Sequence, residues 1–198
     1  MLKLVVLISG VGSNLRALLD AQQRSGAGFT VVAVGADRQA EGLRFATRHD
    51  LPTFIVDYRA FPDRAAWGQA LIAAVDAHQP DLVVLSGLMR ILPPEVVDHF
   101  AGRLVNTHPA LLPSFPGAHA VRDALAAGVS ETGATVHLVD AGVDTGPVLA
   151  QQAVPVLTGD DESLLHERIK IAERELLAET LTKISNGTIE LTQQKETA

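Results

Sequence analysis

Two polar side chains stand two residues apart in the stretch Arg103–Pro116, where a buried strand gives way to a proline-rich loop. Leu104 and Val105 end the predicted strand, and Asn106 and His108 follow it. Because residues i and i+2 of an extended segment point to the same side, both side chains project into the space that the loop encloses. An amide donor beside an imidazole can polarise a carbonyl group and move a proton. An isolated N-x-H pair is more often a pair of side chains that hold loop backbone.

A glycine loop is the second candidate site. The apolar run Lys3–Ile8 leads into Ser9–Asn14 (SGVGSN), and a helical pattern follows. Glycines let backbone N–H groups approach a ligand closely, and a helix N-terminus favours phosphate. Ser13 or Asn14 is expected to cap that helix. The loop lacks the G-x-G-x-x-G spacing and the lysine of a P-loop, so a phosphate site or a plain tight turn is indicated rather than a dinucleotide or nucleoside triphosphate site.

An acidic loop, Asp140–Gly146, can supply a carboxylate to the imidazole. If the loop folds over the strand ends, Asp140 or Asp144 lies beside His108, where a negative charge raises the pKa of the ring. The chain has no cysteine, and no serine stands in a nucleophile elbow. The pattern therefore favours direct transfer, in which the amine of one substrate attacks the carbonyl of another and the protein stabilises the oxyanion.

Metal chemistry is not expected from the histidines of this region. His108, His119 and His137 lack the helical H-x-x-x-H spacing, so zinc would bind them only adventitiously. His137 is expected to fill a polar slot beneath the acidic loop.

Alternating strand and helix patterns must position these side chains. The predicted strands are Lys3–Ile8, Phe29–Ala36, Thr53–Val56, Leu82–Leu85, the strand that ends at Leu104 and Val105, Gly133–Val139 and Val148–Val156. The predicted helices are 15–23, Glu41–His49, Asp63–Gln79, a helix from Pro93–Pro94 to near Gly102, Ala120–Ala127 and a long helix capped by Asp160–Ser163. This alternation predicts an α/β, Rossmann-like fold, with a mostly parallel twisted sheet, helices on both faces and ligands at the carboxyl ends of the strands. The short connection before the last strand predicts an antiparallel C-terminal part.

The long last helix has a predicted buried stripe. Its members step by four, three and four residues, and they are Leu165, Ile169, Ala172 and Leu176. Lys170 and Glu173 lie on another face, where the spacing alone predicts a surface ion pair worth under about 1 kcal/mol. Beyond this helix, Thr188–Leu191 is predicted as an edge strand and 193–198 as a frayed tail.

Composition bounds the partners. The 198 residues are 47% hydrophobic and 20% charged, which favours a compact globule. The net charge of −7 does not favour binding to nucleic acid or to an anionic membrane. The apolar start, Leu2–Ile8, is too short to span a membrane. We expect a cytoplasmic protein. Because its net charge is negative, any anionic ligand must be bound by local groups of the binding site.

The chain resembles the phosphoribosylglycinamide formyltransferase family, the folate-dependent transformylases of purine synthesis. Four blocks carry the resemblance in the family's order and spacing: VVLISGVGSNL at Val5–Leu15, LSGLMRIL at Leu85–Leu92, NTHPALLPSFPGAHA at Asn106–Ala120 and VDAGVDTGPV at Val139–Val148. The resemblance implies a single formyltransferase domain over 1–198. It also implies that 1–102 mainly bind the phosphoribosyl group and that 103–198 carry catalysis and folate binding.

The activity implied by the resemblance is one step of IMP biosynthesis and one-carbon metabolism. The formyl group of 10-formyltetrahydrofolate passes to the amine of phosphoribosylglycinamide without a covalent enzyme intermediate. The folate is then a co-substrate, and neither a permanent cofactor nor a metal is implied. The partners are these small molecules, and the protein is expected to be a monomer or a homodimer.

The family's functional residues carry over position by position. The catalytic trio falls on Asn106, which donates to the formyl oxygen, on protonated His108, which stabilises the oxyanion and donates a proton, and on Asp144. Asp144 raises the pKa of His108 and helps to move the amine's proton through water. The phosphoribosylglycinamide contacts are Gly12, Ser13, Asn14, Lys170 and Glu173. The folate contacts are Arg64, Met89, Arg90, Ile91, Leu92, Asn106, Asp140, Ala141, Gly142, Val143 and Asp144.

Two positions need a separate comment, because at one the resemblance changes the interpretation based on spacing and at the other the sequence departs from the family. Glu173 is implied to meet the amine of the substrate, which replaces the surface ion pair with Lys170. Val11 stands where the family commonly has a polar residue, and only a modest effect on affinity is expected because the loop works through backbone N–H groups.

Other activities share this pattern. Methionyl-tRNA formyltransferase and formyltetrahydrofolate deformylase resemble the same core, but each adds a domain for which 198 residues leave no room, and the negative charge suits tRNA poorly. The alternatives kept open are a deformylase-like hydrolase and a non-catalytic module that binds a phosphate ligand, since fold alone does not give function.

Overall fold

Seven strands form one mixed sheet in the computed structural model of the protein, which describes residues 1–191. They are β1 (Leu2–Ile8), β2 (Phe29–Ala36), β3 (Thr53–Ile55), β4 (Leu82–Leu85), β5 (Leu104–His108), β6 (Glu131–Leu138) and β7 (Val148–Pro155). Across the sheet their order is β3-β2-β1-β4-β5-β6-β7. Strands β1 to β5 pair in parallel, whereas β6 and β7 pair antiparallel with their neighbours, as predicted. The predicted tail at 193–198 lies outside the described residues.

Helices connect the strands and cover both faces of the sheet. They are α1 (Ser13–Gln22), α2 (Leu43–Arg48), α3 (Arg64–Asp76), α4 (Pro94–His99), α5 (Ala120–Ala126) and α6 (Glu162–Ser185), with a 3₁₀ turn at Tyr58–Ala60. The predicted α/β, Rossmann-like architecture is confirmed. Within residues 1–191, no helix combines the length and the hydrophobicity needed to cross a membrane.

Alternate side chains of the buried strands divide the core into two parts. Leu4 and Val6 of β1 pack on one face with buried side chains of α1 and α6, among them Leu165. Val5 and Leu7 pack on the other face with side chains of α3 and α4. We call these the α1/α6 face and the α3/α4 face. Because β1, β4 and β5 are central, their carboxyl ends open at one edge between the two layers.

The predicted stripe on α6 is confirmed. All four of its members are buried: Leu165, Ile169, Ala172 and Leu176. The helix begins with a side-chain cap, because Asp161 accepts a hydrogen bond from the N–H of Leu164 at 2.8 Å. The predicted surface ion pair is wrong, because Lys170 pairs with Glu167 at 2.8 Å and Glu173 is only 6% exposed.

Two local predictions are wrong. α1 has no side-chain cap at Ser13 or Asn14; its N-cap is Gly12, at φ 73° and ψ 34°. A glycine reaches this left-handed conformation without steric cost, so the helix can begin without a capping side chain. The segment Thr188–Leu191 is not a strand. Instead the N–H of Ile189 donates to the carbonyl of Lys183 at 3.1 Å, which holds the segment against the end of α6.

Candidate active site

Strand β5 presents Asn106 and His108 on the same face of the sheet. Leu104, two residues before Asn106, packs in the core of the α3/α4 face, whereas Val105 packs in the core of the α1/α6 face. Alternation along the strand therefore places Asn106 and His108 toward α3 and α4, and Thr107 toward α1 and α6. The strand continues through His108, so the pair stands on regular backbone.

His108 lies between two oxygen acceptors. Its Nε2 is 2.8 Å from the carbonyl oxygen of Phe115, and its Nδ1 is 3.3 Å from Oδ2 of Asp144. Burial lowers the pKa of His108, and it outweighs the carbonyl of Phe115 and the charge of Asp144, which act to raise it. Asp144 thus acts in the direction that the resemblance implied, but the net pKa lies below the ordinary value of 6.5. Before substrates bind, the ring is mainly neutral at pH 7, with an acceptor at each nitrogen.

The loop between β6 and β7 brings Asp144 to this imidazole. In the antiparallel register Leu138, at the end of β6, lies opposite Val105, so the loop must fold back toward His108. Asp144 has a left-handed φ of 56°, a conformation that non-glycine residues rarely adopt and that is often found at functional sites. Oδ2 of Asp144 accepts from the N–H of Gly117 at 2.8 Å.

Asp144 is held in its charged form. The polar contact with the imidazole of His137 is the main cause that lowers the pKa of Asp144 to about 2; burial opposes this effect, and the N–H of Gly117 adds to it. The carboxylate therefore stays ionised across the neutral range. It can attract a proton to His108 without taking one itself.

His137 joins the site, although the sequence suggested only a structural slot for it. The register of β5 and β6 places it opposite Asn106. Its Nδ1 is 2.8 Å from the carbonyl oxygen of Leu138, and its Nε2 is 3.3 Å from Nδ2 of Asn106 and 3.6 Å from Oδ1 of Asp144. A polar residue within the apolar run of β6 was the available signal. Its partners could be found only from the strand register.

The proline-rich loop after β5 is fastened from below by β6 and β7. The hydroxyl of Thr135 donates to the carbonyl of Ala110 at 2.6 Å and accepts from the N–H of Leu112 at 3.1 Å. Nε2 of Gln151 donates to the carbonyl of Leu112 at 2.8 Å. These contacts, which the sequence did not indicate, fix the loop that carries the carbonyl of Phe115.

The glycine loop forms a cradle at the start of α1. The first N–H groups of a helix have no partner within it, which leaves those at the start of α1 available to an anion. Oδ1 of Asn14 is buried and has no hydrogen-bond partner within residues 1–191. A Cβ added at Gly12 would lie 2.8 Å from the Cα of Gly42, so the loop lies directly against the start of α2. Val11 is 62% exposed, so its side chain lies outside the core.

The segment Met89–Leu92 follows β4 on the α3/α4 face. Nη2 of Arg64, the first residue of α3, donates to the carbonyls of Ile91 at 2.8 Å and Leu92 at 2.9 Å. Leu92 is buried, whereas the side chains of Met89 and Ile91 are exposed. Since Leu85 lies opposite Asn106 in the sheet, this segment starts close to the proposed catalytic pair.

The loop Asp140–Gly146 is ordered from within. Oδ1 of Asp140 accepts from the N–H of Gly142 at 3.0 Å and from the hydroxyl of Thr145 at 2.7 Å. Ala141, Gly142 and Val143 are exposed along the rim. Asp140 therefore shapes the loop, while Asp144 alone of its two carboxylates reaches His108.

Glu173 lies on the other side of β5 from His108. It accepts a hydrogen bond from Thr107, whose side chain faces α6. Burial raises the pKa of Glu173 to about 7; the hydrogen bond from Thr107 and the charge of Lys170 act in the opposite direction. A carboxyl group whose pKa lies near 7 can ionise when a cation or an amine binds beside it. Within residues 1–191 no group of three or more His, Asp or Glu side chains is placed to hold a metal ion.

The chain is similar over most of its length to proteins of known activity. The profile of the formyl transferase family matches residues 2–181. A phosphoribosylglycinamide formyltransferase of Mycobacterium tuberculosis (strain H37Rv) is 57% identical over 183 residues, which cover 92% of this chain and 85% of that protein. The protein of the same name from Escherichia coli (strain K12) is 41% identical over 191 residues, covering 96% and 90%. The crystal structure of glycinamide ribonucleotide transformylase 1 from Symbiobacterium toebii matches with a TM-score of 0.91 at 41% identity, covering 94% of this chain and 89% of that one.

Proposed function

The chain belongs to the formyl transferase family, and we propose that it transfers the formyl group of 10-formyltetrahydrofolate to the amine of phosphoribosylglycinamide in purine (IMP) biosynthesis. The folate serves as a co-substrate rather than as a permanent cofactor. One observation carries the proposal: His108 stands between two acceptors beside Asn106, in a chain 57% identical to a phosphoribosylglycinamide formyltransferase.

The two substrates approach from opposite faces of the sheet. The proposed phosphoribosylglycinamide contacts, Gly12–Asn14 and Glu173, belong to α1 and α6. Two of the proposed folate contacts, Arg64 and Leu92, lie with α3 and α4. The two sets adjoin at the carboxyl ends of the central strands, where ligands collect in open α/β sheets. The amine and the formyl group therefore meet near Asn106 and His108.

The three catalytic side chains act in sequence. Asn106 donates to the formyl oxygen while the amine nitrogen bonds to the formyl carbon and the carbonyl electron pair moves onto oxygen. The amine's proton passes, by way of water held at Asp144, to Nδ1 of His108, which burial keeps neutral until then. The imidazolium next to Asp144 then gives its proton to N10 of the folate as the carbon–N10 bond breaks. The carbonyl re-forms, and the products are the N-formyl compound and tetrahydrofolate.

Transfer is direct, without a covalent intermediate on the protein. The groups that contact His108 and Asp144 are a carbonyl, an N–H and an imidazole, and the chain contains no cysteine. A carboxylate at pKa about 2, as in Asp144, is a poor nucleophile toward a formamide. Reaction by the substrate amine needs none of these groups to form a bond to carbon.

The remaining binding residues support these roles. Ser13 and Asn14, with Gly12, hold the phosphate through backbone N–H groups at the start of α1. Glu173 meets the substrate amine, and Lys170 adds positive charge beside it. Met89–Leu92 and Asp140–Asp144 surround the pterin. The proposed contacts of the two substrates are separated by the face of the sheet more than by the half of the chain. That residues 1–102 mainly bind the phosphoribosyl group and that residues 103–198 carry catalysis and folate binding stays a prediction. A cytoplasmic location and a monomeric or homodimeric state stay predictions as well.

The proposal is tested by mixing the protein with both substrates and following the absorbance of the deformylated folate. We expect turnover that depends on phosphoribosylglycinamide and that is lost in His108→Ala. Turnover without the amine would instead identify a deformylase-like hydrolase. Binding of the phosphate ligand without turnover in either case would identify a non-catalytic module.

A further inference from the structure

A buried carboxylate outside the catalytic trio contacts the proposed folate-binding segment. Asp37 follows β2, and its side chain is fully buried. Nε of Arg90 donates to its Oδ2 at 2.9 Å. From the opposite, more exposed side, Arg38 donates to Oδ1 at 3.2 Å and to Oδ2 at 2.9 Å. Asp37 therefore joins the end of β2 to a residue that follows β4.

A second connection runs through Ser9. The N–H of Met89 donates to the Ser9 hydroxyl at 2.8 Å, and this hydroxyl also acts on the carboxylate of Asp37, whose pKa it lowers. Because a hydroxyl has one hydrogen to donate, the carboxylate sets its direction and leaves its lone pairs toward Met89. The carboxylate thus holds the backbone at Met89 as well as the side chain of Arg90.

Arg90 is enclosed on its other side by an aromatic ring. Its guanidinium lies 4.3 Å from the ring centroid of Tyr58, within the range of a cation–π contact. The N–H of Tyr58 donates to the backbone carbonyl of Asp37 at 3.3 Å, so the ring and the carboxylate belong to one assembly. Arg90 therefore contacts both the carboxylate of Asp37 and the ring of Tyr58.

The charge on Asp37 is essential to this assembly. Burial acts to raise the pKa of Asp37, but hydrogen bonds from Arg38, Ser9 and Arg90 together lower it below its ordinary value. A buried carboxylate without such partners would be costly, and an Arg90 without Asp37 would lose its charged partner. The folded chain therefore keeps these groups together before any ligand is present.

We propose that Asp37 is a positioning residue for folate binding, which holds Met89 through Ser9 and Arg90 directly so that the segment Met89–Leu92 is ordered before the folate arrives. The inference rests on the proposed function only in that it takes this segment as a folate contact. Pre-ordering lowers the entropy lost on binding, so its loss weakens affinity without changing the reacting groups.

The test is the variant Asp37→Asn, which keeps the size of the side chain but removes its charge. We expect the KM for 10-formyltetrahydrofolate to rise about tenfold, the scale of a lost charge-assisted hydrogen bond. The KM for phosphoribosylglycinamide and kcat stay within about twofold, since Asp37 contacts neither Gly12–Asn14 nor His108. Ser9→Ala, which removes the relay to Met89 and leaves Asp37 charged, shifts the folate KM in the same direction and decides the question if Asp37→Asn does not fold.

Arg38→Gln is the matched control. It removes a partner of Asp37 that does not contact Met89 or Arg90, so the folate KM stays near that of the wild type. An unchanged folate KM in folded Asp37→Asn, or an equal rise in Arg38→Gln, would overturn the proposal. Calorimetric titration with tetrahydrofolate separates the two proposals. A wild type that binds tetrahydrofolate but shows no turnover contradicts the proposed function alone. Weaker binding in Asp37→Asn would then still support the positioning role of Asp37. A wild type that does not bind tetrahydrofolate contradicts both.

Discussion

Burial and charge act in opposite directions on the pKa of His108. In the proposed reaction, burial keeps the ring neutral at first, so it can accept the proton that the attacking amine must lose. Asp144 and the carbonyl of Phe115 each face a ring nitrogen. When the ring takes up a second proton, each of its two N–H groups therefore has a hydrogen-bond acceptor already in place. The same ring can then act as an acid toward the leaving nitrogen. Without a neighbouring carboxylate, the imidazolium would be less stable, and the ring would be less suited to this second step, the donation of a proton to the leaving nitrogen.

Removing the charge of Asp144 shifts the pH dependence of the rate. In Asp144→Asn the pKa of His108 falls further, because a contribution that raises it is lost. His108 then stays neutral to lower pH, so the acid limb of kcat/KM moves to lower pH. Since the imidazolium is also less stable, kcat falls by about 100-fold, the scale of general acid–base catalysis. Rate profiles from pH 5 to 9 measure both effects.

Asp140→Asn is the control for that shift. Asp140 lies in the same loop, but its Oδ1 accepts from Gly142 and Thr145 rather than facing His108. Its acid limb is expected to coincide with that of the wild type. Coincident limbs for the wild type and Asp144→Asn would contradict the pairing of Asp144 with His108.

The sequence predicted the residues of the site better than their contacts. The spacing of Asn106 and His108 was enough to place both on one face of a strand, because the period of a strand is two. Asp144 could be chosen over Asp140 only from the family resemblance, since both carboxylates lie in one loop. His137 was predicted to fill a polar slot beneath the acidic loop, but its partners were not predicted. They follow from the register of β5 and β6, and register depends on pairings that are distant in sequence.

At the scale of elements, the start of α1 depends on a close contact with α2. Gly12 takes the left-handed conformation that begins the helix. Its backbone lies so close to Gly42, at the start of α2, that a Cβ at Gly12 would be 2.8 Å from the Cα of Gly42. The N–H of Gly42 also donates to the carbonyl of Gly10 at 3.0 Å. The direction of the N–H groups at the start of α1 is therefore set jointly by the loop and by α2.

Gly12→Ala is expected to disturb both stability and phosphate binding. The new Cβ would lie 2.8 Å from the Cα of Gly42, and alanine disfavours a φ of 73°. We expect a loss of about 1–3 kcal/mol in the free energy of unfolding, with a KM for phosphoribosylglycinamide raised at least about tenfold. Denaturant unfolding and steady-state kinetics measure these two quantities.

The matched control lies in the same loop. A Cβ at Gly10 would meet nothing within 4 Å, so Gly10→Ala is expected to change stability by less than about 0.5 kcal/mol. If the two alanine variants were equally stable, the contact between Gly12 and Gly42 would not be what positions α1.

The order and type of the elements followed from sequence because strand and helix periodicities differ clearly. Errors arose at the ends of elements. The start of α1 was assigned to a side-chain cap, whereas the conformation of Gly12 serves instead. Thr188–Leu191 has the composition of a strand, but it pairs with neither edge strand, β3 or β7, because the N–H of Ile189 bonds to the end of α6 instead. Whether a short apolar segment pairs depends on an available edge, which a local pattern does not contain.

At the scale of the whole molecule, the sheet separates the two proposed sets of binding groups, and strand β5 lies between them. Asn106 and His108 face one layer, and Thr107 between them faces the other, where it contacts Glu173. The arrangement needs a carboxylate buried among the side chains of α6, β5 and their neighbours. That carboxylate has a cost for the stability of the entire fold, and the cost depends on pH.

Glu173 makes the unliganded protein less stable as pH rises. Its pKa is about 7 in the folded state against an ordinary value of 4.5, so the folded state holds the proton more tightly. The resulting stabilisation is fully present below pH 4.5 and is lost as pH rises through 7. Between pH 5 and pH 8 this group costs the wild type about 2 kcal/mol of unfolding free energy.

Glu173→Gln removes this titration while it keeps the shape of the protonated side chain. Relative to the wild type, the variant is expected to be equally stable at pH 5 and about 2 kcal/mol more stable at pH 8. Urea unfolding without substrates at the two pH values measures the difference. Glu175→Gln, two residues along α6 and exposed, is expected to keep the wild-type pH dependence. A fold that tolerates a buried, titrating carboxylate at the junction of its two layers gives up stability at the position where we propose that the substrate amine binds. If Glu173→Gln lost stability between pH 5 and 8 as steeply as the wild type, that cost would lie elsewhere in the molecule.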